Sequence, residues 1–464
     1  MSETIAAIST AYGEGGIGII RISGEDAFDI MKAVFCCSKN PQKNIDSQQE
    51  KNEINRRMRY GRIVDKDQVI DEAMAVFMKG PNTYTAEDIC EINCHGSMVS
   101  LRKTLALVLE KGARLAEPGE FTKRAFLNGR MDLSQAEAVI DVIKAKTDKS
   151  FDVAISQLEG SLSQRIVEIR KAILDVLVDL TVNIDYPDED IEELTYDKLE
   201  KSISLISDMI ENLLSTADTG RMIREGLRVT IVGKPNVGKS SLMNGLLRES
   251  RAIVTEIPGT TRDTIEEALS IRNIPVYLTD TAGIRNTDDK VEKIGIEKSK
   301  EAFNRSDFII FILDGSQAMT EEDLDIMEYL KDKKALVLIN KNDLGKAFDI
   351  EDVKAILPGA DVLETSLING EGISEIEDLI EALVYGGKIA QKDSIMVNNV
   401  RHVDLLKRAK KSLEDAAEMT RRKEALEFIE IDVNSAYENL GEIIGETVSD
   451  DILNEVFSRF CLGK

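Results

Sequence analysis

The stretch Gly233-Lys234-Pro235-Asn236-Val237-Gly238-Lys239-Ser240 has the residue types and spacing of a phosphate cradle, GxxxxGK[ST]. Its glycines let backbone N–H groups turn inward, and the N-terminus of a following helix, opened by Ser240 and Ser241, adds positive potential. Lys239 reaches the β and γ phosphates as a catalytic cation, and the Ser240 hydroxyl ligates Mg²⁺. Further along, Asp280-Thr281-Ala282-Gly283 offers a carboxylate for the metal's water shell and a glycine amide for the γ-phosphate. In Asn340-Lys341-Asn342-Asp343 the Asp343 carboxylate can accept both the N1–H and the N2 amino hydrogens of guanine. Adenine lacks that pair of donors, so it leaves the carboxylate unpaired and is rejected. The nucleotide these residues specify is GTP. Ser366-Leu367 stands where such domains back the base with Ser-Ala, and a backbone contact at Leu367 survives the change of side chain.

Hydrolysis needs a separate device. Many small GTPases orient the attacking water with a Gln directly after the DxxG glycine, whereas Ile284 occupies that place and has no group to do so. Between the cradle and DxxG lies the hydroxyl-rich run Thr255-Glu256-Ile257-Pro258-Gly259-Thr260-Thr261-Arg262-Asp263. One Thr there can complete the Mg²⁺ shell. Its carbonyls, with the Asn236 side chain, can coordinate a monovalent cation that neutralises developing charge as an arginine finger does. The residues alone read equally well as an ordinary switch loop without a cation.

These motifs must be held by strands, and short β-rich runs precede them: Arg228 to Val232, Pro275 to Leu278, Phe308 to Leu313 and Ala335 to Ile339. Alternating with helical stretches from Arg228 to about Leu383, they predict an α/β domain on a mainly parallel sheet. Gly220 before it and Gly386-Gly387 after it are expected hinges. On either side, Ile166, Ile169, Ile173, Leu177 and Leu180, and later Leu426, Ile429, Val433, Ala436, Leu440 and Ile443, recur at helical spacing. Each stripe needs a cover, so the two predict a helical bundle split in sequence by the inserted domain. The eight prolines avoid both Leu133 to Asp185 and everything after Pro358, which permits long helices there. The first 118 residues mix strand-like runs (Ile17 to Ile22, Ala73 to Met78, Asp88 to Cys94) with a helix near Ser97 to Lys111, and predict a small α/β domain. The polar run Lys39 to Arg57 reads as a loop. The expected segments are thus 1–118, 119–219, 220–386 and 387–464.

Composition narrows the classes. A chain of 464 residues with 42% hydrophobic and 31% charged residues is globular and multidomain, neither disordered nor fibrous. Its net charge of −25 argues against binding nucleic acid through bulk charge. No apolar run approaches the roughly 18 residues of a membrane span. The N-terminus lacks the layout of a signal peptide, so a cytoplasmic location is expected. Five cysteines, unevenly spaced, suit a reducing compartment, and Cys90, Cys94 and His95 lack the further ligands of a zinc site and read as strand thiols beside a histidine.

Across its length the sequence resembles the tRNA wobble-uridine modification GTPase family known as MnmE or TrmE. The resemblance is carried by Thr4-Ile5-Ala6-Ala7 with Gly15-Gly16-Ile17-Gly18-Ile19-Ile20-Arg21-Ile22-Ser23-Gly24, the Pro81 to Gly96 segment, Glu117-Pro118-Gly119-Glu120-Phe121 with Arg124-Ala125-Phe126-Leu127-Asn128, the Gly259 to Asp263 loop, and the terminal Cys461-Leu462-Gly463-Lys464. It implies an N-terminal α/β domain that dimerises and binds folate, a split helical bundle and an inserted Ras-like P-loop G domain. The implied activity is K⁺-activated GTP hydrolysis, with G domains dimerising across their switch faces. A flavin-dependent partner (MnmG, or GidA) joins the homodimer to modify C5 of the wobble uridine of certain tRNAs.

By the same resemblance, Asn236, Thr255, Ile257 and Thr260 hold K⁺, Ser240 and Thr261 hold Mg²⁺, and Glu292 acts on the attacking water through a second water. From the residues alone, Glu292 is one carboxylate among many after the DxxG turn. Arg21, Glu91, Arg130 and Lys464 match positions that contact 5-formyltetrahydrofolate, the stand-in for a one-carbon donor. A carboxylate pairs with pterin N–H groups, and cations suit the glutamyl tail. Glu14 replaces a basic residue in the glycine-rich opening. Cys461 is a candidate nucleophile or redox group near the folate site. The acidic chain further implies that the partner supplies much of the tRNA-binding surface. Two other classes share the G motifs. A ribosome-assembly GTPase would add a basic KH module with GxxG or a second G domain, and a dynamin-like mechanical GTPase would add a Lys- and Arg-rich amphipathic tip; neither feature is visible.

Overall fold

A computed structural model describes residues 3–37, 52, 54–185, 195–249, 251–252, 266–280, 306–386 and 395–464. The chain divides into two compact units, one of residues 1–140, 157–167 and 440–464 and the other of 141–156 and 168–439.

The first unit is built on a seven-stranded sheet of β1 (Ile5–Ile8), β2 (Gly15–Ser23), β3 (Phe35–Cys36), β4 (Arg59–Asp65), β5 (Gln68–Met78), β6 (Ile89–Gly96) and β7 (Arg114–Leu115). The order is β3-β4-β5-β6-β2-β1-β7, antiparallel except where β7 runs parallel to β1. Alternate residues of β2 and β6 (Ile20, Ile22, Cys90, Ile92, Cys94) enter a core with Phe28, Phe77, Leu101 and Val108. That core is covered by the helices Ala27–Val34 and Met98–Glu110, the latter capped by the Ser97 hydroxyl accepting from the Val99 amide. Most of the expected loop Lys39 to Arg57 lies outside the described residues, but Ile54 is buried and the Arg56 amide donates to the Phe77 carbonyl. A second core joins Ala125, Leu133, Ala136 and Ile140 to Leu453, Val456, Phe457 and Phe460, which brings the end of the sequence onto its N-terminal third.

The second unit holds the sheet of β8 (Leu227–Val232), β9 (Arg251–Ala252), β10 (Glu266–Ile271), β11 (Ile274–Asp280), β12 (Phe308–Asp314), β13 (Ala335–Asn340) and β14 (Asp361–Glu364), in the order β14-β13-β12-β8-β11-β10-β9. From β14 to β11 the strands are parallel, and β10 and β9 add an antiparallel edge. β12 and β13 bury side chains on both faces, which is why they read as unbroken apolar runs. The proline-free stretch forms helices Leu133–Lys144, Asp148–Leu158 and Ser161–Asp185. As expected from their stripes, Ser161–Asp185 lies along Leu426–Ile444: the Arg170 guanidinium stacks 4.0 Å from the Tyr437 ring, and the Thr181 hydroxyl donates to Glu430. Helix Tyr196–Leu214 packs against Val400–Arg422, with Lys410 paired to Glu211 at 2.8 Å.

Gly220 corrects the hinge expectation. It lies within the helix Ala217–Glu225, where a Cβ would come within 2.2 Å of the Val397 carbonyl oxygen. Glycine is needed there for close backbone approach, not for bending. Gly386, with φ of +60°, ends the helix Ile373–Tyr385, and Gly387 lies outside the described residues.

Candidate functional site

The C-terminal ends of β8, β11, β12 and β13 share one edge of the second sheet, with Ile231 beside Asp280 and Asp314 beside Asn340. Ligands of open α/β sheets bind at that edge. From β8 the chain enters the loop Gly233 to Gly238 and then the helix Lys239–Glu249, anchored in the core by Leu242 and Leu246. Asn236 takes a left-handed φ of 63° with its side chain exposed, and the first-turn Ser240 is exposed beside it. The Lys239 ammonium is nearly buried and donates to the Gly233 carbonyl at 2.6 Å and the Lys234 carbonyl at 2.7 Å. Gly238, at φ of +120°, leaves room for the Asn340 amide, which a Cβ would meet at 2.2 Å. Substitution there is opposed by both backbone angle and space.

Asn340 ties the phosphate loop to the base side. Its Nδ2 donates to the Val237 carbonyl at 2.7 Å, and its Oδ1 accepts from the Leu367 amide at 3.0 Å and the Thr365 hydroxyl at 3.3 Å. The Leu367 backbone is thus in use while its side chain is buried in the core. The Ser366 hydroxyl donates to Asp343 Oδ1 at 2.7 Å, which aims an exposed carboxylate. Lys341 donates from a left-handed backbone to Asp314 Oδ2 at 2.7 Å. Burial works to raise the Asp314 carboxyl, but bonds from Lys341 and from the Ser316 hydroxyl and amide outweigh it and hold it below the ordinary carboxylate range. Asp314, which holds Lys341, is not marked by any motif in the sequence. Its one signal was a lone Asp ending an apolar run in register with Asn340.

The backbone of Asp280 ends β11. Thr255, Glu256, Ile257, Pro258, Gly259, Thr260, Thr261, Thr281, Ala282, Gly283 and Glu292 lie outside the described residues.

A second constellation sits in the first unit. Antiparallel pairing sets Arg21 opposite Glu91, and Arg21 Nε donates to Glu91 Oε1 at 2.9 Å. The Arg21 guanidinium lies 5.3 Å from the Tyr84 ring centre and 5.7 Å from that of Phe121, and Arg130 lies 4.7 Å from Tyr84. Three of the residues expected at the ligand, Arg21, Glu91 and Arg130, are therefore gathered by Tyr84. Leu462 and Tyr84 both pack against the cluster of Ile5, Ala7, Ala116 and Phe121, so Lys464 follows two residues beyond that cluster.

The Tyr84 hydroxyl bonds the Thr122 hydroxyl at 2.9 Å, and a buried ionic frame fixes the loop that carries Tyr84. Arg124 pairs with Glu87 at 3.0 Å and Glu120 at 2.9 Å and donates to the Glu3 carbonyl, while Asn128 donates to the Thr85 carbonyl. Burial raises the Glu120 carboxyl, but bonds from Arg114, the Glu117 amide and Arg124 prevail and lower it. Tyr84 and Glu87 belong to no motif or spacing that singles them out in the sequence. Cys461 is exposed, as is Cys37, while Cys36, Cys90 and Cys94 are buried. His95 bonds Asp71 at 2.6 Å, and no cluster of three or more His, Cys, Asp or Glu suited to a metal occurs among the described residues. Among those residues, no helix is long and apolar enough to cross a membrane.

Comparison with known proteins adds the family. A family model described as the MnmE helical domain matches residues 133–461, and one described as the GTP-binding protein TrmE N-terminus matches residues 4–130. The chain is 53% identical to the tRNA modification GTPase MnmE of Alkaliphilus metalliredigens (strain QYMF), over 100% of both chains. It is 50% identical to that of Clostridioides difficile (strain 630) and 46% to that of Bacillus subtilis (strain 168), again over 100% of each.

Proposed function

The chain belongs to the MnmE family of tRNA modification GTPases, and from that premise we propose how its two sites divide the work. It hydrolyses GTP in the service of tRNA modification. The G site binds guanine through Asp343, aimed by Ser366, and binds phosphate through Lys239 and the amides that open the helix Lys239–Glu249. The exposed Ser240 hydroxyl beside Lys239 suits Mg²⁺, with Thr261 as the second protein ligand. The exposed Asn236 suits K⁺, with Thr255, Ile257 and Thr260. The cations supply charge neutralisation when bound. Glu292 acts on the attacking water through a second water, the orienting task for which Ile284 has no group. GTP turnover at equal ionic strength tests this arrangement: it runs faster in K⁺ than in Na⁺, and equal rates overturn it.

The first unit binds a tetrahydrofolate such as 5-formyltetrahydrofolate, the source of the one-carbon unit placed on C5 of the wobble uridine. The observation that carries this reading is the gathering of Arg21, Glu91 and Arg130 at Tyr84. Glu91 accepts from the pterin's amino and ring N–H groups, Tyr84 supplies flat apolar surface, and Arg130 and Lys464 meet the anionic tail. Cys461, exposed two residues before Gly463, is the nearest thiol in sequence to that end. Isothermal titration with 5-formyltetrahydrofolate is the test: the parent binds, Glu91→Gln weakens binding by about tenfold or more, and equal affinity in the two proteins refutes the assignment.

In the cell the protein acts in the cytoplasm as a homodimer through residues 1–118, joined by the flavin-dependent MnmG (GidA). The segment 220–386 is the G domain, inserted between the helical parts 119–219 and 387–464. With a net charge of −25 the chain leaves much of the tRNA-binding surface to that partner. Single substitutions of its basic residues therefore change the complex's affinity for tRNA little, and a large loss from one of them contradicts this division.

A further inference from the structure

The phosphate loop carries a second lysine, which the nucleotide reading leaves without a task. Lys234 Nζ lies 2.6 Å from Asp323 Oδ2 and donates to the Thr320 hydroxyl at 3.0 Å. Asp323 belongs to the helix Glu321–Leu330, and its side chain is only 3% exposed. The same Oδ2 accepts from the Thr320 amide and hydroxyl, both at 2.9 Å, while Oδ1 has no hydrogen-bond partner among the described residues.

Two features make this more than a surface ion pair. A helix N-terminus repels a cation, so the ammonium stays there only because Asp323 holds it. In addition, the carboxylate is taken out of water, and a buried charge that loses its partner is costly. The pair fastens the loop at the point where it is most needed. Lys239 rests on the carbonyls of Gly233 and of Lys234 itself. Lys239 has three protons to share, and phosphate oxygens compete with those carbonyls for them. As Lys239 turns to phosphate, its grip on residues 233 and 234 weakens. At the far end of the loop, the Val237 carbonyl keeps its bond from Asn340; at the near end, the side-chain tether is Lys234.

We propose that Lys234 is a positioning residue for nucleotide binding, pinning the start of the phosphate loop to the N-terminus of helix Glu321–Leu330 through Asp323. It holds the loop in its binding shape, so that GTP and GDP do not have to order it. It makes no distinction between ground and transition state, and its loss is felt in affinity rather than in turnover.

The test uses the full-length protein with three variants: Lys234→Met, Lys234→Arg, and Lys234→Met combined with Asp323→Asn. Fluorescent GDP titration gives Kd, and steady-state hydrolysis gives KM and kcat for GTP. Lys234→Met raises Kd and KM about tenfold and leaves kcat within about twofold, whereas Lys234→Arg keeps all three within about twofold of the parent. The double variant loses no more affinity than Lys234→Met, because both changes break one contact. If Lys234→Met alone does not fold, with Asp323 left unpaired, the double variant relieves that charge and carries the same tenfold loss. Parental Kd and KM in a folded Met-containing variant overturn the proposal. So does a fall in kcat at unchanged KM, or an Arg variant as weak as the Met one.

Discussion

Replacing Asn340 by Ala removes three hydrogen bonds from a side chain that is only 4% exposed. Two of its partners, the Val237 carbonyl and the Leu367 amide, are backbone groups that the loss leaves buried. An unsatisfied buried group costs about 1–3 kcal/mol, so the pair costs about 2–6 kcal/mol. The 3.3 Å bond from the Thr365 hydroxyl is the longest of the three and adds least. The lower bound, if it falls on ordering the loops when nucleotide binds, corresponds to about a 30-fold rise in Kd. Titration of the purified protein with fluorescent GDP reads this directly, with a thermal melt to show that the fold survives. Thr365→Val is the control, with an expected change of threefold or less. An Asn340→Ala protein that folds and binds GDP within threefold of the parent would refute the claim that this side chain ties the phosphate and base loops together.

Gly238→Ala places a Cβ 2.2 Å from the Asn340 amide at an unfavourable φ, so it weakens GDP binding through the same contact. Its effect in titration is not additive with Asn340→Ala. Gly220→Ala presses on the Val397 carbonyl and lowers stability by about 1–3 kcal/mol in denaturant melts, without the kinetic signature of a hinge. Glu120 has a folded-state pKa below its unfolded value, so its contribution to stability is full above the ordinary glutamate pKa of about 4.3 and is lost as pH falls through the depressed value. The melting temperature of the parent therefore falls more steeply below about pH 4.5 than that of Glu120→Gln, and parallel curves contradict the pairing with Arg114 and Arg124.

The nucleotide motifs were legible because each is a short string whose chemistry is local: Gly238 with Lys239, Asn340 with Asp343. The strands before them were legible because a strand buried on both faces is an apolar run. What joins the motifs was not legible. The bond from Asn340 to Val237 spans 103 residues and reaches past β12, and Lys341 meets Asp314 across 27 from the neighbouring strand, contacts set by the order of the parallel strands and not by either local string. In the first unit, the pairing of Arg21 with Glu91 needs the register of β2 on β6, which alternation suggests but does not fix. Tyr84 sits in a loop without periodicity, so nothing local marked it. Gly220 misled because a glycine required for close approach in a helix looks, in sequence, like one required for bending.

On the proposed division of work, wobble-uridine modification needs both the nucleotide site and the folate site of the chain. The direct test is mass spectrometry of tRNA nucleosides from cells lacking this chain and supplied with the parent, Glu91→Gln or Asn340→Ala protein at matched levels. The parent restores the C5-modified wobble uridine and either variant leaves most of it unmodified. Full modification with Glu91→Gln, or unaltered tRNA in cells lacking the chain, would contradict the account.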